Sequence, residues 1–459
     1  MEKTIGNEKT ILKVAVVTSF ITTFMGSALN LSIPNLESDF NVSAALIGWV
    51  VTAYTLAVAA ASVPLGKIAD AKGRRTMFIW GILLFGILSL ACAFAWSIWV
   101  LLILRVLQGL AAAMMFATNN AILISAYPDN QRGRVLGIST ASIYVGLSLG
   151  PVVGGFLNSH VGWHSIFVFS ALITVVAFIL AIKGIPKEEI RQEDGKLDIA
   201  GNILYMAMIV VTLYGLTNLS MYKYAWIIVV VGIALGAAFV IVENKAADPV
   251  IRVSLFSKDA AFTLSNVAAL LNYGATFAIS YLLSIYLQVV MGYSSQIAGF
   301  ILIAQPVMQA AFSPMMGKLS DKVAPYKLAS AGMGLCAIGL ILFSTLTEDT
   351  SLWVVIATLM LSGFGFALFS SPNTNAIMAC VEPADYSIAN SILATMRTVG
   401  HTVSMAIVTI VVGFTMGNTA LAEAEPGDLI GTMHKCFMIF IFLCVAGVFM
   451  SLKRKKETE

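Results

Sequence analysis

Apolar residues run through this chain in long stretches broken by short polar links, with neither the strict alternation of strands nor the one-sided stripe of a soluble helix. Stretches of about 20 apolar residues match a helix that crosses a bilayer. Fourteen can be drawn, at roughly 12–34, 44–66, 76–96, 98–126, 134–157, 163–184, 198–219, 225–244, 260–289, 296–317, 326–346, 352–378, 388–416 and 431–452. The predicted fold class is therefore an all-α integral membrane protein. The links are too short to hold a soluble domain, and the longest, 185–197, mixes acids and bases as a solvated connector.

Composition strengthens this picture. Hydrophobic residues make up 59% of the chain and charged residues 11%, with a mean hydropathy of +0.89, far from a soluble average. The N-terminus carries Glu2, Lys3, Glu8, Lys9 and Lys13 before the first span and shows no cleavable-signal pattern. Five scattered cysteines have no metal-type spacing and read as small packing residues. Positive charge sets an orientation. Of 27 lysines and arginines, 23 fall in the tails and in alternate links, Lys223 and Lys435 in the others, and Arg105 and Arg397 within spans. The positive-inside rule then predicts both termini in the cytoplasm. It also accounts for the net charge of +3 without a basic patch for nucleic acid.

The chain also repeats itself. Leu65-Gly66-Lys-Ile-Ala-Asp70-Ala-Lys-Gly73-Arg74-Arg75 is echoed by Met316-Gly317-Lys318-Leu-Ser-Asp321, and Asn119-Asn120-Ala-Ile by Thr374-Asn375-Ala-Ile. The offsets, 251 and 255, pair spans 1–6 with spans 9–14 and leave 7 and 8 inserted between them. The predicted division is an N-terminal six-helix half at 1–184, a linker with inserted helices 7 and 8 at 185–259, and a C-terminal six-helix half at 260–459. Two related halves with basic hinges on one face suit a carrier that rocks about a central site.

Several motifs have their own physical reading. Asp70 ends span 2, and Arg74 and Arg75 follow across a turn opened by Gly73, a cluster able to latch two helices and release them. Gly146, Gly150 and Gly154 form an i, i+4, i+8 stripe for close helix approach, with Gly155 beside it and Pro151 bending the helix. Arg105 is a cation about 10 Å inside its span, with Gln108 one turn away as a partner; charges at that depth are costly and functional.

These motifs, together with Trp49-Val-Val-Thr-Ala-Tyr54 and Ser371-Pro-Asn373-Thr-Asn375, resemble the major facilitator superfamily, specifically its fourteen-helix branch of drug:proton antiporters. The resemblance runs nearly end to end. It implies secondary active export of small organic molecules by alternating access and proton antiport, in the cell (plasma) membrane, as a monomer with no cofactor and no metal. The loop from Gly66 to Arg75, which resembles the superfamily's signature between helices 2 and 3, reads with its echo at Lys318 and Asp321 as a gate. The resemblance implies that Arg105 takes part in proton movement and that the glycine stripe is the exporter motif.

One departure changes the expectation. All 24 acidic residues lie in loops, tails or span ends. The branch's helix 1 aspartate falls at Met25, counting back from Pro34. A membrane-embedded carboxylate both titrates and attracts cations, and this chain lacks it there. The interior instead offers Arg397 and His401, one turn apart on span 13 on a face shared with Asn390 and Ala394. His401 is the mid-span group that titrates near neutrality. If protons are coupled, His401 or Asp70 must carry part of the work, or the substrate brings its own titrating group. Asn30, Asn119, Asn120, Asn272, Gln305, Gln309 and Asn373 add uncharged hydrogen bonds, and Tyr54 and Tyr144 aromatic walls. Two transport readings follow: a multidrug exporter, and an exporter of an anionic or neutral metabolite. A sensor or scaffold is disfavoured by the retained gating loop. An enzyme is disfavoured because no nucleophile–base pair, phosphate loop or metal cluster is present.

Overall fold

The computed structural model describes residues 8–42, 44–186, 198–219, 224–246, 249–251, 256, 259–416 and 425–453, excluding the side chains of 30, 31, 33, 34, 37, 44–48, 295 and 416. Among them it is all-helical. The helices are α1 Glu8–Ser27, α2 Ile33–Phe40, α3 Ala44–Lys72, α4 Arg74–Ala93, α5 Ile98–Ala126, α6 Arg132–Val161, α7 His164–Gly184, α8 Ile199–Thr217, α9 Ala225–Glu243, α10 Ala260–Thr276, α11 Ile279–Ile285, α12 Ser295–Leu302, α13 Ala304–Ser320, α14 Pro325–Phe343, α15 Leu352–Ala379, α16 Tyr386–Met416 and α17 Pro426–Lys453. Fourteen segments among the described residues are long and apolar enough to cross a bilayer, as the hydropathy pattern predicts. Many of their large apolar side chains, such as Trp80, Ile103, Ile203 and Phe442, stay exposed, which suits a hydrocarbon solvent.

Three predicted spans are built from broken helices. The first passes from α1 through a 3-10 stretch, Ala28–Ser32, into α2. The ninth breaks between α10 and α11, where the Ala278 amide donates to Ser404 Oγ at 3.1 Å. That hydroxyl satisfies a backbone group freed by the break, which is how a membrane helix tolerates an interruption. The same span ends in a π turn at Tyr286–Val290, and the tenth divides at Ile303.

The chain forms two compact units. One holds residues 1–206, 242–252 and 381–395; the other holds 207–241, 253–380 and 396–459. In the first, α1, α3, α4, α5, α6 and α7 enclose a core that includes Phe24, Phe78, Phe85 and Phe167. An apolar cleft of about 670 Å³ runs beside it, lined by Leu65, Leu84, Leu107, Met114, Ile203 and Met206. In the second, Phe343 and Phe437 stack across α14 and α17 with ring centroids 5.7 Å apart.

The repeat is written into close contacts inside each unit. A Cβ on Gly81 would lie 3.2 Å from Ala111 O of α5, and one on Gly332 would lie 2.6 Å from Gly365 O of α15. Gly109 meets Tyr54 O, and Gly363 meets Gln305 O. Asn119 Nδ2 donates to Ala15 O at 3.3 Å, and Asn373 Nδ2 to Ser265 O at 3.1 Å. The bonding thus pairs Asn119 with Asn373 at an offset of 254, one residue away from the register of the sequence echo. Hydrogen bonding reads helix faces, whereas the echo reads residue letters.

Candidate transport site and gate

The loop between α3 and α4 turns at Gly73, whose φ of 107° is a conformation glycine adopts readily. The turn sets Asp70 and Arg74 four residues apart across it, with Arg74 Nε donating to Asp70 Oδ1 at 2.6 Å. Both then reach the start of α16. Arg74 Nε also donates to Ser387 Oγ at 3.1 Å, and Nη2 donates to the carbonyls of Pro383 and Ala384. Asp70 Oδ2 accepts from the Ile388 amide at 3.2 Å. The first amides of a helix lack intrahelical partners and carry partial positive charge, so a carboxylate is favoured there. Gly66 makes the approach possible: a Cβ there would lie 2.6 Å from Ser391 Oγ and 3.0 Å from Ser387 O.

Arg75 stands apart from this pair; its Nε donates to Ile185 O at 2.8 Å, beyond the end of α7. In the second unit, Lys318 is exposed in the last turn of α13 and Asp321 follows that helix. There Asn375 Nδ2 donates to Ser320 Oγ at 3.0 Å.

Arg105 is fully buried in α5. Its Nε donates to Val50 O at 2.8 Å and its Nη1 to Gln108 Oε1 at 2.6 Å. Gln108 Nε2 passes the chain on to Ser89 Oγ at 2.7 Å, and Ser89 to Phe85 O at 2.7 Å. The guanidinium lies 4.3 Å from the Tyr54 ring centroid and 5.9 Å from that of Phe167. Tyr54 is itself pinned by its hydroxyl, which donates to Thr22 O at 3.0 Å. Tyr54 thus packs under Arg105 as a cation–π partner, and Tyr144 is likewise buried. Ser89 is a member of this cluster that no motif marks, because a single hydroxyl in an apolar run carries no pattern.

A second polar chain crosses the first unit. Asn119 Nδ2 donates to Ser19 Oγ at 2.7 Å, and Ser19 Oγ lies 3.1 Å from Ser139 Oγ. Ser139 Oγ donates to Asn120 Oδ1 at 3.4 Å, Asn120 Nδ2 to Asn390 Oδ1 at 2.8 Å, and Asn390 Nδ2 to Phe116 O at 2.5 Å. The side chain of Asn30 lies outside the described residues. Asn120→Ala leaves Asn390 Oδ1 without its donor. It is expected to weaken the α5–α16 contact by about 1 kcal/mol, read as a lower melting temperature in detergent.

The glycine stripe lies against α1. A Cβ on Gly146 would lie 2.6 Å from Phe20 O, one on Gly150 would strike Ser27 Oγ, and one on Gly154 would lie 2.5 Å from Ala28 O. Pro151 and Gly155 sit half-buried beside it. Gly154→Val forces two backbones apart and is expected to cost about 1–3 kcal/mol, seen as early thermal unfolding of the purified protein. Met25, the position of the expected helix 1 carboxylate, is fully buried, and Ser170 Oγ donates to its sulfur at 2.8 Å.

In the second unit, Arg397 lies over the Tyr273 ring at 5.2 Å. His401 stacks on Phe277 with centroids 4.0 Å apart and meets Tyr273 edge-on at 5.4 Å. Gly400 permits this by letting α16 approach α10, its Cβ position being 2.9 Å from Leu270 O. Asn272 on α10 is fully buried with both amide atoms lacking hydrogen-bond partners, as is Ser371 Oγ on α15. Gln305 and Gln309 of α13 are buried too. The Asn272 amide, Ser371 Oγ and Gln305 Oε1 have no hydrogen-bond partner among the described residues, which leaves them open to water or a solute.

A Major Facilitator Superfamily model matches residues 15–244 and 266–459. The riboflavin transporter RibZ of Clostridioides difficile is 28% identical over 446 residues, covering 96% of each chain. The multidrug resistance protein Stp of Mycobacterium tuberculosis is 28% identical over 388 residues, 83% of this chain and 71% of that one. The solved structure of the human organic anion transporter MFSD10 (TETRAN) superposes with a TM-score of 0.68 at 14% identity, over 95% of this chain and 99% of that chain. With fourteen candidate spans among its described residues and an internal repeat, the chain belongs to the Major Facilitator Superfamily and is a multi-pass membrane transporter.

Proposed function

We propose that this protein is an exporter of the multidrug-efflux type that moves neutral or anionic, planar organic molecules by alternating access, and that lipophilic cations are poor substrates. The observation that carries this reading is Met25. Where a titrating carboxylate would attract a cation in low dielectric, the chain buries a thioether against Ser170. The ionisable groups it retains deep in its spans, Arg105, Arg397 and His401, are all bases. Arg397 and His401 present faces backed by Tyr273 and Phe277, surfaces suited to a flat ring bearing hydrogen-bond acceptors or a negative charge. Similarity to a riboflavin transporter over almost the full length of both chains supports a flat, polar heteroaromatic solute of that chemistry. The Asp70–Arg74 latch serves as the cytoplasmic gate, and its separation from α16 opens that side. Proton antiport is the coupling that the resemblance to the drug:proton antiporter branch implies; His401, a base within span 13, is the interior candidate for it.

A second reading, a broad drug exporter that also takes lipophilic cations, is supported by relatives named for multidrug resistance, Stp among them. Isothermal titration of the detergent-purified protein separates the two. Riboflavin or a flat carboxylate dye is expected to bind and tetraphenylphosphonium not to bind. Arg397→Ala is expected to weaken binding of the carboxylate dye at least tenfold, the loss of one charge-assisted contact of about 1.5–3 kcal/mol. Tight binding of the phosphonium by the wild type contradicts the proposal.

A further inference from the structure

Helices α8 and α9, inserted between the two repeats, bring together two acids that neither the gate nor the polar chains use. Asp198 precedes α8. Its Oδ1 accepts from the Gly201 amide at 2.8 Å, while Oδ2 is buried with no hydrogen-bond partner. Glu243 ends α9 and is only 3% exposed. Its Oε2 accepts from the Ile251 amide at 3.3 Å, the Val250 backbone also acts on the carboxylate, and Oε1 is buried with no hydrogen-bond partner among the described residues. The two unpartnered oxygens point at the same place. Both fall within 2.5 Å of where a Gly201 Cβ would sit, so they are no more than ~5 Å apart. Gly201 is thus the residue whose missing side chain lets them converge.

Among the described residues, the charged groups acting on Glu243 are Asp198 and Lys67 of α3. Within this described set, two carboxylates and one ammonium leave one negative charge in excess in a buried setting, where an unpaired charge is costly. One more positive charge, placed between two bare oxygen acceptors, satisfies both the charge and the missing hydrogen bond. We propose that Asp198 and Glu243 form a proton-binding carboxyl pair, one proton taken from water bridging Asp198 Oδ2 and Glu243 Oε1. Release of that proton leaves a second negative charge facing Lys67. Lys67 lies three residues before Asp70 on α3, so the pair bears on the helix that carries the latch. This inference is independent of the substrate reading.

Infrared spectroscopy of the full-length protein in liposomes at neutral pH tests it through the C=O stretch of a protonated carboxyl group. The wild type is expected to show such a band, sensitive to deuterium exchange. Glu243→Gln should remove it, and Asp198→Asn should shift its frequency because the hydrogen-bond partner becomes an amide. Gly201→Ala, which places a methyl between the oxygens, should remove it as well. If Glu243→Gln does not fold, the wild-type band together with the Asp198→Asn shift decides. The inference is overturned if the wild type lacks the band at neutral pH, or if the band is the same in every variant. It is equally overturned if the band is absent while added sodium or calcium raises the melting temperature of the wild type and not of Glu243→Gln, which assigns the pair to a metal cation.

Discussion

Arg105→Ala is expected to abolish measurable uptake into proteoliposomes and to lower the melting temperature of the purified protein. The guanidinium fills a site closed to solvent, and it is the donor for both Val50 O and Gln108 Oε1. Removing it strands Gln108 Oε1 at about 1–3 kcal/mol, takes the side-chain donor from Val50 O, which keeps its bond within α3, and deletes a desolvated cation–π contact with Tyr54 of about 2 kcal/mol. It also releases Gln108, whose amide anchors Ser89 on the neighbouring α4. Arg105→Lys is expected to recover little of the loss. A single ammonium cannot reach a carbonyl on α3 and an amide on its own helix in the fork geometry that these distances record. Wild-type stability and uptake in either variant contradict a structural and functional role for this cluster.

The second large effect belongs to the latch. Asp70→Asn and Arg74→Ala each remove charge-assisted hydrogen bonds to the start of α16, worth roughly 1.5–3 kcal/mol apiece. At 1.4 kcal/mol per tenfold, either change shifts the balance between closed and open latch by about ten- to a hundredfold. Spin labels at the exposed positions Thr76 and Glu382 read that balance. The wild type is expected to show a dominant short distance, and Arg74→Ala a dominant longer one with transport correspondingly impaired. Gly66→Leu should act the same way, since its side chain would occupy the space of Ser391 and the Ser387 carbonyl. A distance distribution unmoved by all three substitutions contradicts the gating role.

Much of this molecule is legible before any coordinates. Apolar runs long enough to span a bilayer have few alternatives, so the fourteen spans and the fold class follow from them. Asp70, Gly73 and Arg74 stand out as charges and a glycine at a span end, and Arg105 with Gln108 as a polar pair one turn apart. Their partners are less visible. The carbonyls of Pro383 and Ala384 and the amide of Ile388 are backbone groups, with no residue type to announce them. Arg75 looks equivalent to Arg74 in the sequence, yet it turns to Ile185 O; one residue along a helix is a rotation of about 100°, enough to face another neighbour. The break before Ala278 depends on Ser404, more than a hundred positions away. Asp198 and Glu243 sit at span ends and read as ordinary solvated acids; only their convergence over Gly201 sets them apart.

The solutes the protein moves distinguish an exporter of neutral and anionic molecules from an exporter of lipophilic cations. Purified protein in sealed vesicles with an internal pH-sensitive dye can be challenged in turn with a flat organic anion, riboflavin and a quaternary ammonium dye. Uptake and proton movement are followed together, for the wild type, Arg397→Ala, His401→Ala and Met25→Asp. The wild type is expected to transport the anion or riboflavin, Arg397→Ala to lose anion transport, and quaternary ammonium transport to occur only after Met25→Asp. Robust proton-coupled movement of the quaternary ammonium dye by the wild type, with the anion and riboflavin ignored, would contradict the proposed function.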